Sequence, residues 1–142
     1  MIKKNEFLSE FKLERFSILE SHFKIIPVKS EKKLPELPVE VNFEAFSADP
    51  NFLRIIVKIE VNKEGSMPGY SFEIVADGVF SFPEQSDEKE RAAYTNYSGL
   101  PLIINSIRAY IMNISSYSFY GQYTLPLIDI NNILDKKSSQ KK

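Results

Sequence analysis

The chain contains no cysteine and no tryptophan, and its single histidine is His22. The absence of cysteine excludes disulfide bonds and every reaction that needs a thiolate. One histidine without cysteine does not support a zinc site, and a lone histidine is more often structural than a catalytic base. None of the five glycines has the spacing of a phosphate-binding loop. We therefore expect no enzyme activity, no metal and no cofactor.

The chain also lacks an excess of charge of either sign, because its formal net charge is −1. Such a balance gives no bulk attraction to nucleic acid or to anionic lipid. The lysines near the two ends are interpreted as solubilising, and no run reaches the roughly 20 apolar residues of a membrane helix. The first residues, MIKKNEFLSEFKLERF, carry charge every few positions and do not resemble a signal peptide. We expect a cytoplasmic protein with no nucleic-acid partner and no membrane insertion.

From Ala92 to Ile128 the chain carries a single charged residue, Arg108, although 26% of the whole sequence is charged. This stretch is rich in aromatic residues and is interrupted by proline, glycine, serine and asparagine. An element exposed to water normally carries charge on one face. So much uncharged surface indicates burial on more than one side, either in the core or against another polypeptide, and it favours binding over catalysis.

Alternating apolar residues predict four strands within a single α+β domain over residues 1–134. The predicted strands span residues 11–28, 39–44, 53–61 and 70–82. The first is long and bent, because its apolar pattern changes phase after Leu13 and again after Ile18. A kink is expected at Gly78 in the fourth. Short turns between the last three strands indicate an antiparallel meander to which the first strand is added.

The pattern then changes to a helical period. A charged loop over 84–91 ends the β region, Ser98 is the expected N-cap, and Pro101 stands in the first turn of a helix. Apolar residues form two stripes along it, so that a single sheet can cover only one of them. The second stripe includes Leu102, Ala109 and Met112. Residues 135–142 are expected to form a disordered basic tail.

Four segments occur in a characteristic order. They are FKLERF with Phe23 downstream, LRIIVKIEV, FEIVADGVFSF, and YSGLPLIINSIRAYIMNISSYSFYGQYTLPLIDINNIL. The last combines a helix started by proline that carries Arg108, a turn of glycine and aromatic residues, and a Leu-Pro-Leu-Ile-Asp segment. Over about residues 11–134, this collinear set resembles the SecB and SecB-like family of bacterial protein-export chaperones.

The resemblance implies a four-stranded antiparallel sheet backed by helices, assembled as a homodimer or homotetramer. It also implies an ATP-independent holdase that keeps unfolded or precursor polypeptides in apolar grooves, for export or otherwise. Export members engage the SecA motor and other members serve toxin–antitoxin pairs, so the resemblance implies either SecA or an antitoxin as a further partner. The basic tail departs from the acidic character of the export members.

Aromatic side chains accept clients of varied shape, which makes those of the sheet and the turn the candidate polypeptide-binding residues. They are Phe43, Phe46, Phe80, Phe82, Tyr117, Phe119, Tyr120 and Tyr123. The candidate oligomer-interface residues are Leu102, Ala109, Met112, Phe11 and Leu13. Alternation alone does not say which sheet face is open. The competing interpretation is an α+β domain whose sheet curls around an apolar small molecule.

Overall fold

The computed structural model describes residues 8–28, 34–47 and 49–140, which form four antiparallel strands and three helices joined in part by a π-helical turn. The strands are β1 (Lys12–Ile26), β2 (Val39–Phe46), β3 (Phe52–Val61) and β4 (Gly69–Ser81). They form one sheet in the order β1-β4-β3-β2. The predicted α+β class and the meander with β1 added are therefore confirmed. Parts of the predicted connector between β1 and β2, and the last two tail residues, lie outside the described residues.

Strand β1 is bent at two points where its pairing with β4 shifts. The register changes between Leu13 and Arg15, and again between Ile18 and Glu20. An extra residue moves all following side chains to the other face of a sheet, which is how a bulge changes the phase of an apolar pattern. Both phase changes in the sequence thus correspond to irregularities in the strand. The kink expected at Gly78 is wrong, because β4 pairs with β3 without interruption there.

Helical structure begins at Glu88, well before the predicted start. Helix α1 (Glu88–Tyr94), a π-helical turn (Thr95–Gly99) and helix α2 (Leu100–Ser115) follow one another without a break. A capping box starts the run: the carboxylate of Asp87 accepts a hydrogen bond of 2.8 Å from the backbone N–H of Glu90. The prediction of Ser98 as an N-cap is wrong, because Ser98 lies inside this run.

Pro101 is accommodated by the π-helical turn that precedes it. The backbone N–H of Leu100 reaches the carbonyl of Thr95, five residues earlier. Proline has no N–H to donate and crowds the preceding turn of an α-helix. A wider turn at this point provides space for the ring, so the helical run continues through the proline.

A third helix, α3 (Ile130–Gln140), forms where the sequence predicted only a disordered tail after residue 134. The carboxylate of Asp129 accepts a hydrogen bond of 3.2 Å from the backbone N–H of Asn132 and so caps its first turn. Ile130, Ile133 and Leu134 pack partly buried against the core. Packing of this short apolar stripe supports a helix that is otherwise polar. The prediction of disorder is therefore wrong for residues 135–140.

The core lies between α2 and one face of the sheet. The sheet-facing isoleucines of α2 at positions 103, 104, 107 and 111 are at most 2% exposed, as are Ile55, Ile59 and Ile74 of the sheet. A Cβ atom at Gly78 would clash with Cδ1 of Ile103 and lie 3.0 Å from Cε2 of Phe80. Glycine is thus required here because α2 approaches the sheet closely, and not because β4 bends.

Candidate functional site

A groove of about 460 Å³ runs along β2 and is bounded on its other sides by residues 126–129 and by α3. Its lining residues are Val39, Glu40, Val41, Asn42, Phe43, Pro126, Leu127, Ile128, Asp129, Asn132, Ile133, Lys136, Lys137 and Gln140. The residues from α3 recur three and four positions apart, so one face of this helix forms the wall. The volume lies in the range of sites for small ligands or for a few residues of peptide.

Strand β2 is at the edge of the sheet and pairs only with β3 in the described part of the chain. The backbone N–H of Asn62 donates to the carbonyl of Pro38 over 2.8 Å, so the even-numbered residues of β2 bond toward β3. Backbone groups of successive strand residues point to opposite sides. Those of Val39, Val41 and Phe43 therefore point away from the sheet, along the groove that these residues line.

Arg108 holds the wall that faces β2. Its Nε donates to the carbonyl of Leu125 over 3.0 Å and its Nη2 donates to the carbonyl of Pro126 over 2.9 Å. Its Nη1 also donates to the side-chain oxygen of Asn105 on the same helix. The one charged residue of the uncharged stretch thus fastens the segment after the turn to α2. This places the Pro126–Asp129 wall opposite the edge strand.

Lys137 closes one end of the groove. Its amine donates to the backbone carbonyl of Phe43 and forms an ion pair of 3.0 Å with Glu44. The same amine lies 4.7 Å from the centroid of the Phe43 ring, a distance at which a cation interacts with an aromatic face. Lys137 therefore satisfies one outward-facing acceptor of β2 with a side chain of the protein itself.

The aromatic turn after α2, residues 117–123, is held by hydrogen bonds to Tyr70 of β4 and is exposed at its tip. The hydroxyl of Tyr70 donates to the carbonyl of Gly121 over 2.7 Å and accepts from the backbone N–H of Tyr120 over 2.9 Å. Burial is the main cause that raises the pKa of Tyr70, so this phenol stays protonated in the hydrogen-bonded pair. Tyr117 and Phe119 at the tip are 94% and 81% exposed.

The predicted polypeptide-binding residues do not form one site. Phe43 is the one member that lines the groove, whereas Phe46 is 47% exposed on the face of the sheet opposite α2. Phe80 is 1% exposed in the core, which corrects its prediction as a binding residue. Phe82 is partly buried beneath the guanidinium of Arg91. The remaining members, Tyr117, Phe119, Tyr120 and Tyr123, belong to the turn.

The candidate interface residues fall into two groups. Leu102, at 41% exposure, and Ala109 and Met112 lie on the side of α2 away from the sheet-facing isoleucines. Leu13 is 45% exposed on β1, but Phe11 is only 8% exposed and stacks on Phe80 with ring centroids 4.9 Å apart. Phe11 is therefore a core residue, which corrects its prediction as an interface residue.

The sheet face opposite α2 carries several ion pairs. Asp77 is fully buried there and accepts hydrogen bonds from Arg54 over 2.8 Å and from Arg15 over 3.4 Å. Toward the other end, Lys58 lies 3.1 Å from Glu73, and this hydrogen bond is the main cause that raises the pKa of Lys58. These two clusters of ion pairs satisfy their charges within the protomer, and the exposed Phe46 and Phe52 on this face are not enclosed by a second wall as the groove residues are.

Sequence reasoning missed most of the groove. Lys137 was assigned to a disordered tail, and Val39 and Val41 were recognised only as strand residues. The lone charge of Arg108 was the available signal for the wall.

Within residues 8–28, 34–47 and 49–140, no cluster of His, Cys, Asp or Glu could hold a metal ion. No helix of this part of the chain is long and apolar enough to cross a membrane.

No family model matches the chain, and no curated protein matches its sequence. Among solved structures, its fold is similar to that of the Mycobacterium tuberculosis Rv1957 SecB-like chaperone, determined in complex with a ChAD peptide from the Rv1956 HigA1 antitoxin, with a TM-score of 0.53. The two chains are 16% identical, and the match covers 84% of this chain and 91% of the other. A protein of unknown function from Streptococcus agalactiae matches with a TM-score of 0.43 and 12% identity, over 82% of this chain and 97% of the other. The four-stranded antiparallel sheet with its C-terminal helix is thus similar in fold to the SecB-like chaperone from Mycobacterium tuberculosis.

Proposed function

We propose that this protein is an ATP-independent chaperone that holds unfolded polypeptide segments in the groove along β2. The observation that carries the proposal is the row of backbone groups at Val39, Val41 and Phe43 that points away from the sheet into an accessible groove. An extended peptide can add to such an edge as a further strand. Main-chain hydrogen bonds do not depend on side-chain identity, so a site of this kind accepts many sequences.

The walls of the groove supply the apolar contact. Leu127 is 92% exposed and therefore available to a ligand, while Ile128 and Ile133 are partly buried beside it. At about 25 cal/mol per Å², some 200 Å² of apolar contact contributes about 5 kcal/mol before the cost of association is subtracted. Such a site binds one segment weakly. Repetition of the site in a homodimer or homotetramer strengthens the binding of a long chain by avidity.

The structural neighbour from Mycobacterium tuberculosis was solved with a peptide from an antitoxin, which supports a peptide as the ligand class. Unfolded precursor polypeptides and antitoxin segments are both candidate clients of this chain, in a cytoplasmic setting. A contact with SecA stays a prediction of the family resemblance. The competing small-molecule interpretation places the ligand between the sheet and the helix, where the isoleucines of α2 already fill the space.

Replacement of Val41 by proline tests the proposal at the strand edge. The N–H of Val41 does not bond to β3, so proline removes a donor from the groove and leaves the β2–β3 ladder intact. We expect Val41→Pro to weaken binding of a fluorescein-labelled decapeptide of alternating valine and lysine at least about tenfold, measured by fluorescence anisotropy. Val41→Thr keeps the donor and the branched shape, and should bind like the parent.

Two further measurements decide the proposal. A decapeptide with N-methyl groups on alternate residues has free N–H groups on one side only, so it can pair with β2 in just one of the two possible registers. The decapeptide with N-methyl groups on all residues should not bind. The parent should also suppress light scattering by a reduced, aggregating client protein, and Val41→Pro should do so less well. Equal peptide binding by the two Val41 variants, with no suppression by the parent, would show that the groove is not a polypeptide site.

A further inference from the structure

The groove is open along one part of β2 and closed along the other. At Val39 and Val41 the outward backbone groups have no hydrogen-bond partner among the described residues, whereas the carbonyl of Phe43 accepts from Lys137. An added strand that paired with β2 through this region would need the same carbonyl as an acceptor. Lys137 and a client therefore compete for one atom.

The helix that carries Lys137 is attached to the rest of the protein by few contacts. No residue of α3 is buried. Apart from Lys137, its one side-chain hydrogen bond to another element is between the Tyr97 hydroxyl and Asn131, over 3.2 Å, within the described residues. Ile130, Ile133 and Leu134 in its first half supply the apolar packing. In the second half, from Asp135 to Gln140, Lys137 supplies the hydrogen bond and the ion pair to β2.

We propose that α3 is a lid on the groove and that Lys137 is its latch. This inference rests on the proposed function and adds its regulation. In the closed state the lysine occupies the acceptor of Phe43 and protects the strand edge, a common role of lysine beside unpaired strands. A client segment pairs first at Val39 and Val41 and then displaces Lys137, which frees the second half of α3.

Only molecules with the latch open can bind a client along the whole of β2. The apparent affinity of the groove is therefore its intrinsic affinity multiplied by the open fraction. It is held by an ion pair with Glu44, whose side chain is 66% exposed, and salt screens such a pair. Client affinity should therefore rise with moderate salt in the parent protein. The opposite trend is expected if the lysine mainly attracts acidic clients.

The first experiment compares Lys137→Met with Lys136→Met. Both residues line the groove, and both substitutions replace a lysine by the same apolar side chain. Lys136 makes no hydrogen bond or ion pair in the described part of the chain. We expect Lys137→Met to bind the valine–lysine decapeptide about five to ten times more tightly than Lys136→Met. Lys137→Arg, which keeps the charge and the donors, should bind like the parent.

A second readout does not require a client. Backbone amides of residues 135–140 should exchange with solvent faster in Lys137→Met than in Lys136→Met, and decapeptide binding should accelerate their exchange in the parent. Equal affinity and equal exchange in the two methionine variants would overturn the lid while leaving the groove function standing. If Val41→Pro instead binds the decapeptide as tightly as the parent, the groove function is overturned. The exchange comparison would still decide whether Lys137 latches α3.

Discussion

The guanidinium of Arg108 donates to three acceptors, which include the carbonyl of Pro126 in the groove wall and the carbonyl of Leu125 just before it. Leu125 is 1% exposed, so its carbonyl has little access to water if the arginine is removed. We expect Arg108→Met to lower the free energy of unfolding by about 2 kcal/mol, because a buried acceptor loses its donor. Urea unfolding followed by circular dichroism measures the change.

Asn105→Ala is the matched control for Arg108, because it removes only the exposed acceptor on the same helix. Its expected cost is about 0.5 kcal/mol or less. Arg108→Met should also weaken decapeptide binding, since the Pro126–Asp129 wall is no longer held against α2. A parent-like unfolding midpoint for Arg108→Met would mean that the wall is positioned by its apolar packing alone.

At the scale of elements, the closest contact between α2 and the sheet is at Gly78. A methyl group there would clash with the fully buried Ile103 and lie 3.0 Å from Cε2 of Phe80. We expect Gly78→Ala to lower the free energy of unfolding by about 2 kcal/mol through displacement of α2. Ser71→Ala, on the other face of β4, should change it by less than about 0.5 kcal/mol. Parent-like stability of Gly78→Ala in urea would contradict the close approach.

The elements that the sequence predicted well are those whose pattern is set by burial on one face. Alternation gave the four strands, and its phase changes marked the irregularities of β1. The early start of α1 was missed because residues 84–91 were interpreted by their charge, although Asp87 and Glu90 have the spacing of a capping box. Helix α3 was missed because its sequence, INNILDKKSSQ, has weak helix signals and depends on tertiary packing.

The groove could not be predicted from the sequence for a different reason. Whether β2 is an edge strand depends on the strand order, and alternation does not specify that order. The wall comes from α3 and from residues 126–129, which lie at least 80 positions beyond the end of β2 in the chain. Phe43 was selected as an aromatic residue, and its place in the groove follows from contacts that only the folded chain makes.

At the scale of the whole molecule, the outer side of α2 carries exposed apolar residues beside the polar Asn105 and Asn113. Leu102 is 41% exposed, and Ala109 and Met112 lie on the same side of the helix. The homodimer or homotetramer that the family resemblance implies would bury this second apolar stripe, which lies opposite the one that faces the core. Two protomers can bury these surfaces against each other while the core of each keeps its packing.

Leu102→Asp tests this assembly. A carboxylate in an apolar interface loses its water without gaining a partner, so we expect the variant to have the mass of a single protomer in light scattering. Its circular dichroism spectrum should be that of the parent, because Leu102 is outside the core. Gln122→Glu adds the same charge at an exposed position outside α2 and should keep the parent mass. If the parent itself has the mass of one protomer, the groove must hold its clients without avidity, and suppression of aggregation should then require a large excess of the protein.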